Sequence, residues 1–253
     1  YYIRYLQLVG VSDRKSALDS RWARGLMGRP MLESANRVKY MLDKNNAVPL
    51  WRLIGDSIAQ FGDVKVFRNK LLLPFGFTYK QYIKESVYDA LNNTQKDFVS
   101  LSACVVPDED VSKIKGMTEY RLQDTTAPSM FTMDLYAQRI ADLGRDSMTG
   151  TTVTDTRIAG NVNLPEDKML YLSVPYDGGW TLKVDGKEQP KQIVFAGMTG
   201  VMLSRGQHSI EMVYGLRYFN KGLLMSVLGI VLCAVLWFLT PKKGEEMPQT
   251  AAE

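Results

Sequence analysis

The chain has 253 residues, 45% of them hydrophobic and 23% charged, which is long enough for one large domain or two ordinary ones with real cores. Its formal charge of +4 is spread out, with no block of five basic residues, and this excludes a nucleic-acid footprint. A single His excludes a His-rich metal site, and two Cys, one of them inside an apolar run, exclude a disulfide framework.

The chain opens YYIRYLQLVG, with no Met, no charged n-region and no long apolar run, so upstream segments are expected rather than a secretory signal. Residues 12–27, SDRKSALDSRWARGLM, read as a helix with Ser12 as N-cap. RVKYML, 37–42, reads as a strand or a helix end. Gly62-Asp63 predicts a turn before the strand VKVF. Thr78 with Gln81 has the form of a capping box, and Tyr82, Ile83, Val87 and Leu91 recur at helical spacing, so a helix is expected from Tyr79 to Leu91. A second helix follows from Thr94 to Cys104. The acidic run Asp108-Glu109-Asp110 reads as a solvated loop, because the spacing and Gly of a calcium loop are missing. A further helix fits Met133 to Leu143, stopped by Gly144.

After Gly150 the pattern changes to short β-rich runs separated by Gly, Pro, Asn and Asp, the mark of an antiparallel sandwich. Leu170, Leu172 and Val174 alternate with Tyr171 and Ser173, predicting a half-buried strand. Asp185-Gly186 signals a hairpin turn, and Arg205-Gly206 turns the chain before HSIEMVY.

Residues 222–239, GLLMSVLGIVLCAVLWFL, carry no charge and only Ser226 as a polar side chain. At 1.5 Å per residue they cover roughly 27 Å, close to a bilayer's hydrocarbon thickness. A buried core helix of this length would show a polar stripe. Arg217, Tyr218 and Lys221 before it, and Trp237, Lys242 and Lys243 at its end, suit the two membrane interfaces. Lys and Arg counts at the two ends are nearly equal, so charge sets the orientation weakly.

The expected fold class is therefore α+β. It comprises a mixed helix and strand region over 1–148, a β-sandwich-like domain over 149–216, a transmembrane helix over 217–241 and a disordered cytoplasmic tail over 242–253.

Residues with chemistry are few. Trp180 follows Gly178-Gly179, where glycine permits a bend with unusual backbone angles. It reads either as a plug at the edge of the sandwich core or as an exposed platform for a sugar or a lipid headgroup, with Tyr176 as a second candidate contact. Asp177 and Asp185 sit where turns favour Asp for its own backbone bonding, so a glycosidase pair is not inferred. Gly186 completes the Asp185 turn, and His208, opening an alternating strand, reads as structural. No nucleotide-binding glycine loop, HExxH or CxxC occurs, so no catalytic residue, metal or cofactor is expected within these residues.

The order PYDGGW, KVDGK, SRGQHSIEMVY and KGLLMSVLG resembles the YfhO family of bacterial polytopic membrane proteins, and VKVFRNKLLLPFGFTYKQYI resembles that family's strand and "leu-pro-phe-gly" segment. The resemblance implies a large extracytoplasmic region ahead of the last membrane helix, on the bacterial plasma membrane. It also implies a preceding block of many membrane helices. It further implies a GT-C-type glycosyltransferase that takes polyprenyl-phosphate sugars and acts on a cell-envelope glycan acceptor such as lipoteichoic acid, with its catalytic carboxylate in an early loop beyond this chain. Read from the residues alone, a membrane-anchored binding or adhesion module with no enzyme attached is the alternative.

Overall fold

Helix α1 (Tyr2–Leu8) and helix α2 (Pro30–Ala35) lead into strand β1 (Tyr40–Lys44), helix α3 (Trp51–Ile54) and the hairpin β2 (Gly55–Phe61) and β3 (Val64–Asn69). The computed structural model describes residues 1–12, 26, 28–44, 51–122, 132–216 and 218–239; most of the helix expected over 12–27 lies outside them. β3 pairs antiparallel with both β1 and β2, and Gly62 turns the hairpin at φ 60° as expected.

The stretch read as a helix from Tyr79 to Leu91 divides between strand and helix. β4 (Gly76–Tyr79) and β5 (Gln81–Lys84) precede a short helix α4 (Glu85–Asp89). Thr78 caps nothing: its hydroxyl donates to the Asp146 carbonyl at 3.1 Å. Pairing overrides the local pattern, because β4 lies against a strand ninety residues on and β5 runs parallel to two others. The true capping box comes later, where Asn92 and Gln95 exchange bonds of 3.0 and 3.1 Å at the start of α5 (Asn93–Ser100). β6 (Cys104–Val106), a 3₁₀ turn over Asp108–Lys113, β7 (Thr118–Glu119) and α6 (Met133–Arg145) complete this half.

The sandwich follows. β8 (Thr149–Val153), β9 (Arg157–Leu164), β11 (Trp180–Val184), β12 (Lys187–Glu188) and β15 (Gly206–Tyr214) form one antiparallel sheet in the order β12-β11-β15-β9-β8. β10 (Lys168–Pro175), β13 (Gln192–Val194) and β14 (Met198–Leu203) form the other, in the order β13-β14-β10-β4. Between them lie Ile158, Val162 and Leu164 from β9, Leu182 and Val184 from β11, Ile210 and Met212 from β15, and Leu170, Leu172, Val201 and Leu203 from the opposite sheet. β9 shows the cause in its residues: Ile158, Gly160, Val162 and Leu164 turn inward and their neighbours outward.

β10 is not half-buried. Met169, Leu170, Tyr171 and Leu172 are all at most 2% exposed. Leu170 and Leu172 face the sandwich, while Met169 and Tyr171 enter a second core with Phe77, Tyr79, Tyr88 and Phe195. A strand covered on both faces loses its polar alternation. β4 brings residues 76–79 into this sheet across the 148/149 position, and Gly76 permits it, since a Cβ there would stand 2.4 Å from Met148 Sδ. Residues 1–214 accordingly form one compact unit.

The residues from Gly215 onward form a separate unit, whose described part centres on α7 (Phe219–Leu239). Its 21 residues span about 31 Å. None is buried, and Ser226 satisfies its hydroxyl on its own helix by donating to the Gly222 carbonyl at 2.9 Å. Lys221 lies 6.0 Å from the Tyr218 ring, and Trp237 and Phe238 stack edge to face at 5.1 Å. Arg217, Lys242 and Lys243 lie outside the described residues.

Candidate functional site

Two turns and an aromatic edge hold the residues singled out above. Neither Gly178 nor Gly179 has a positive φ. The bend is made instead by Asp177, whose carboxylate accepts the Gly179 N–H at 2.6 Å and whose carbonyl accepts the Trp180 N–H at 3.3 Å. Trp180 then opens β11 half-buried. Its ring meets Tyr214 edge to face at 5.1 Å and packs on the rim of the sandwich core, and Lys191 donates to its carbonyl at 2.6 Å. The same Lys191 ammonium lies 4.9 Å from the Tyr176 ring, which meets Tyr1 at 5.0 Å. Trp180 and Tyr176 therefore lie at one edge of the unit, tied by one lysine.

Asp185, Gly186 and His208 come together in a way their sequence positions do not announce. Asp185 and Gly186 both have positive φ, 54° and 77°, as a two-residue hairpin turn requires. The Asp185 carboxylate accepts the Ser209 N–H at 2.8 Å and lies 2.8 Å from His208 Nδ1. His208 Nε2 stands 2.9 Å from the Ser204 carbonyl. Both ring nitrogens thus face acceptors, and only an imidazolium can donate to both. Burial pulls the His208 pKa down; the bonds to Asp185 and Ser204 and the Asp185 charge outweigh it, and the net shift is upward. Asp185 is held below its ordinary value, first by the His208 bond. The pair fastens the β14–β15 turn to the β11–β12 turn.

A cleft of about 540 Å³ was not legible in the sequence. Arg4 from α1, Glu85, Ser86 and Asp89 from α4, and Asp108 and Glu109 from the 3₁₀ turn line it, with Ala196 beneath. Burial raises the Glu85 pKa, opposed by Arg4. Asp108 accepts the Ser86 hydroxyl and, at 3.1 Å, the Ser86 N–H, and its pKa is lowered for that reason. Four carboxylates facing one guanidinium suit a hydroxyl-rich or cationic ligand and repel a phosphate. The acidic run at 108–110 carried part of this signal; Arg4 and Glu85 reach it only through tertiary packing. A second cleft, of about 430 Å³, holds three cations already paired within the protein, Lys80 with Glu166 at 3.0 Å, Arg145 with Asp142 at 2.7 Å and Lys168 with Asp146 at 2.7 Å, and Arg139, which lies 5.4 Å from the Phe98 ring. Among the described residues no group of three or more His, Cys, Asp or Glu could hold a metal ion.

Comparison with known proteins adds the family. Residues 120–226 match the model described as "Bacterial membrane protein YfhO". They take in α6, the sandwich strands β8 to β15 and the opening of α7. The chain is also similar to "Uncharacterized protein YfhO" of Bacillus subtilis (strain 168), 30% identical over 88 residues. That alignment covers 35% of this chain and 10% of the relative, so the chain spans about a tenth of the curated relative it matches. No solved structure matches. The earlier segment VKVFRNKLLLPFGFTYKQYI lies outside the family match. One helix among the described residues, α7, is long and apolar enough to cross a membrane. With sandwich and helix joined in one match, residues 120–226 of the chain are similar to the YfhO family of bacterial membrane proteins.

Proposed function

We propose that this chain is the extracytoplasmic module and membrane anchor of a polytopic GT-C-like glycosyltransferase. Its donor would be a polyprenyl-phosphate sugar and its acceptor a cell-envelope polymer such as lipoteichoic acid. The observation that carries the reading is the family match, which runs without a break from the sandwich into the apolar helix.

The residues at hand divide the labour. A polyprenyl-phosphate donor keeps its lipid in the bilayer, so its reacting phosphate sits at membrane level. A site there needs several helices to shield polar groups from lipid. α7 offers one hydroxyl, Ser226, which is bonded to its own backbone. The acidic cleft of the soluble unit repels the phosphates of donor and acceptor alike. Catalysis therefore belongs to helices beyond this chain, and the soluble unit covers them and guides the acceptor. Trp180 and Tyr176 are its contacts with glycan or headgroup: each presents part of an aromatic face, and Lys191 between them is a cation for an anionic polymer.

The test is transfer from a polyprenyl-phosphate sugar to polyglycerolphosphate by the whole protein reconstituted in lipid. The whole protein transfers and this chain alone does not. Trp180→Ala in the whole protein raises the KM for acceptor about tenfold, the loss of one good aromatic contact, with kcat little changed. No transfer by the whole protein above a protein-free control contradicts the reading.

A further inference from the structure

The outer face of the β1-β3-β2 sheet is apolar where water would favour polar side chains. Its register sets Leu42 opposite Val66 and Val66 opposite Ala59; in the next row Lys44 lies opposite Val64 and Val64 opposite Phe61. Phe61 is 71% exposed, Leu42 66% and Tyr40 52%. Ile58, 46% exposed, sits at the irregularity between Ser57 and Ala59. The opposite face is already in use, since Met41 and Phe67 are buried in the main core. The exposed row is thus a second apolar surface rather than a core face left open.

Its charge is one-sided. Between Lys39 and Lys70 there are six Lys and Arg against three Asp. Asp43 is buried, and Asp56 and Asp63 are each held by a lysine of the same segment, Lys70 at 3.3 Å and Lys44 at 3.5 Å. Protein interfaces are depleted in Lys. Apolar and aromatic side chains rimmed by Lys and Arg are the composition that beds into anionic headgroups. The chain also carries its own membrane helix, so a bilayer is always within reach and docking on it is an intramolecular event.

We propose that this sheet face lies in the headgroup layer of an anionic membrane, with Phe61 and Leu42 among the upper acyl segments and Lys39, Arg52 and Arg68 against lipid phosphates. This depends on α7 spanning the bilayer and not on the transferase reading.

The test uses the full chain in vesicles, with a nitroxide on Ala59→Cys, which shares a row with Val66 and Leu42, in a Cys233→Ala background. A label on Lys187→Cys, in the β11–β12 turn, serves as the reference, and a label on native Cys233 reports insertion of α7; Cys104 is fully buried. Collision of the Ala59→Cys label with an aqueous nickel chelate is expected to fall about threefold or more from phosphatidylcholine to phosphatidylglycerol vesicles, and to recover in high salt. The Lys187→Cys label is unmoved. Phe61→Ser with Leu42→Ser removes the protection, and both side chains are exposed, so the fold survives the change. An Ala59→Cys label as open to the chelate as Lys187→Cys in phosphatidylglycerol overturns the proposal. Equal protection in both lipids and in detergent also overturns it, because the cover is then protein. A Cys233 label open to the chelate in every lipid sinks the proposal through its premise, the membrane anchor itself.

Discussion

Arg29 and Asp97 fasten the first half of the chain. Arg29 Nε donates to Asp97 at 3.1 Å, a second guanidinium nitrogen also bonds that carboxylate, and the rest of the fork reaches the Val9 and Asn93 carbonyls, so one side chain joins α1, α2 and α5. Burial raises the Asp97 pKa and the Arg29 bonds oppose it. Removing one partner leaves the other charge mostly covered and unpaired, so Asp97→Ala should lower stability by about 3 kcal/mol in urea titrations. A loss below about 1 kcal/mol would mean that the guanidinium finds water or other acceptors. The His208 pair acts on pH instead. A raised His pKa stabilises the fold below the ordinary His value of about 6.5, and the contribution fades as pH rises through the raised value. The lowered Asp185 pKa adds stability above about 3.9, lost as pH falls through the depressed value. The melting temperature should therefore drop slightly between pH 6 and pH 9, by an amount worth under ~1 kcal/mol because Asp185 is half exposed. His208→Gln should flatten that slope. An unchanged slope in the variant assigns the pH dependence to another group.

At the scale of elements, the β13–β14 turn is the strained point. Phe195 and Ala196 both have positive φ, 48° and 56°, where Asn and Gly are usual. Phe195 is anchored there: it is 3% exposed, meets Tyr79, Tyr88 and Tyr171 at 5.7 to 6.0 Å, and donates its N–H to the Val105 carbonyl at 2.9 Å. Ala196 has no such reason to be an L-residue. Ala196→Gly should raise stability by up to about 1 kcal/mol, while Ala196→Val should lower it by at least as much; the reverse order in thermal melts contradicts the strain. This turn also marks what the sequence could and could not tell. Asp185-Gly186 announced its hairpin through residue chemistry, whereas Phe195-Ala196 holds the same kind of backbone against its chemistry, by packing. The run before Asp185-Gly186 was legible because it has one wetter face and keeps a period of two. β5 was misread as helix because its partners lie elsewhere in the chain and local spacing cannot report them. The Asp185–His208 contact, twenty-three residues apart in the chain, was invisible for the same reason.

For the whole molecule, residues 1–214 form one unit whose two halves share a sheet through β4. Its link to function runs through α7. A 21-residue helix with its apolar side chains uncovered is at home in lipid, and the family match ties that helix to the sandwich. On the proposed function the sandwich faces outward from the cell while the tail after α7 stays inside. Single cysteines at Lys187 and at Lys242, in a cysteine-free background of the whole protein, test it with a membrane-impermeant maleimide on intact cells. Lys187→Cys is expected to be labelled at once, and Lys242→Cys only after the membrane is permeabilised. Labelling of Lys242→Cys in intact cells, with Lys187→Cys protected, would contradict it.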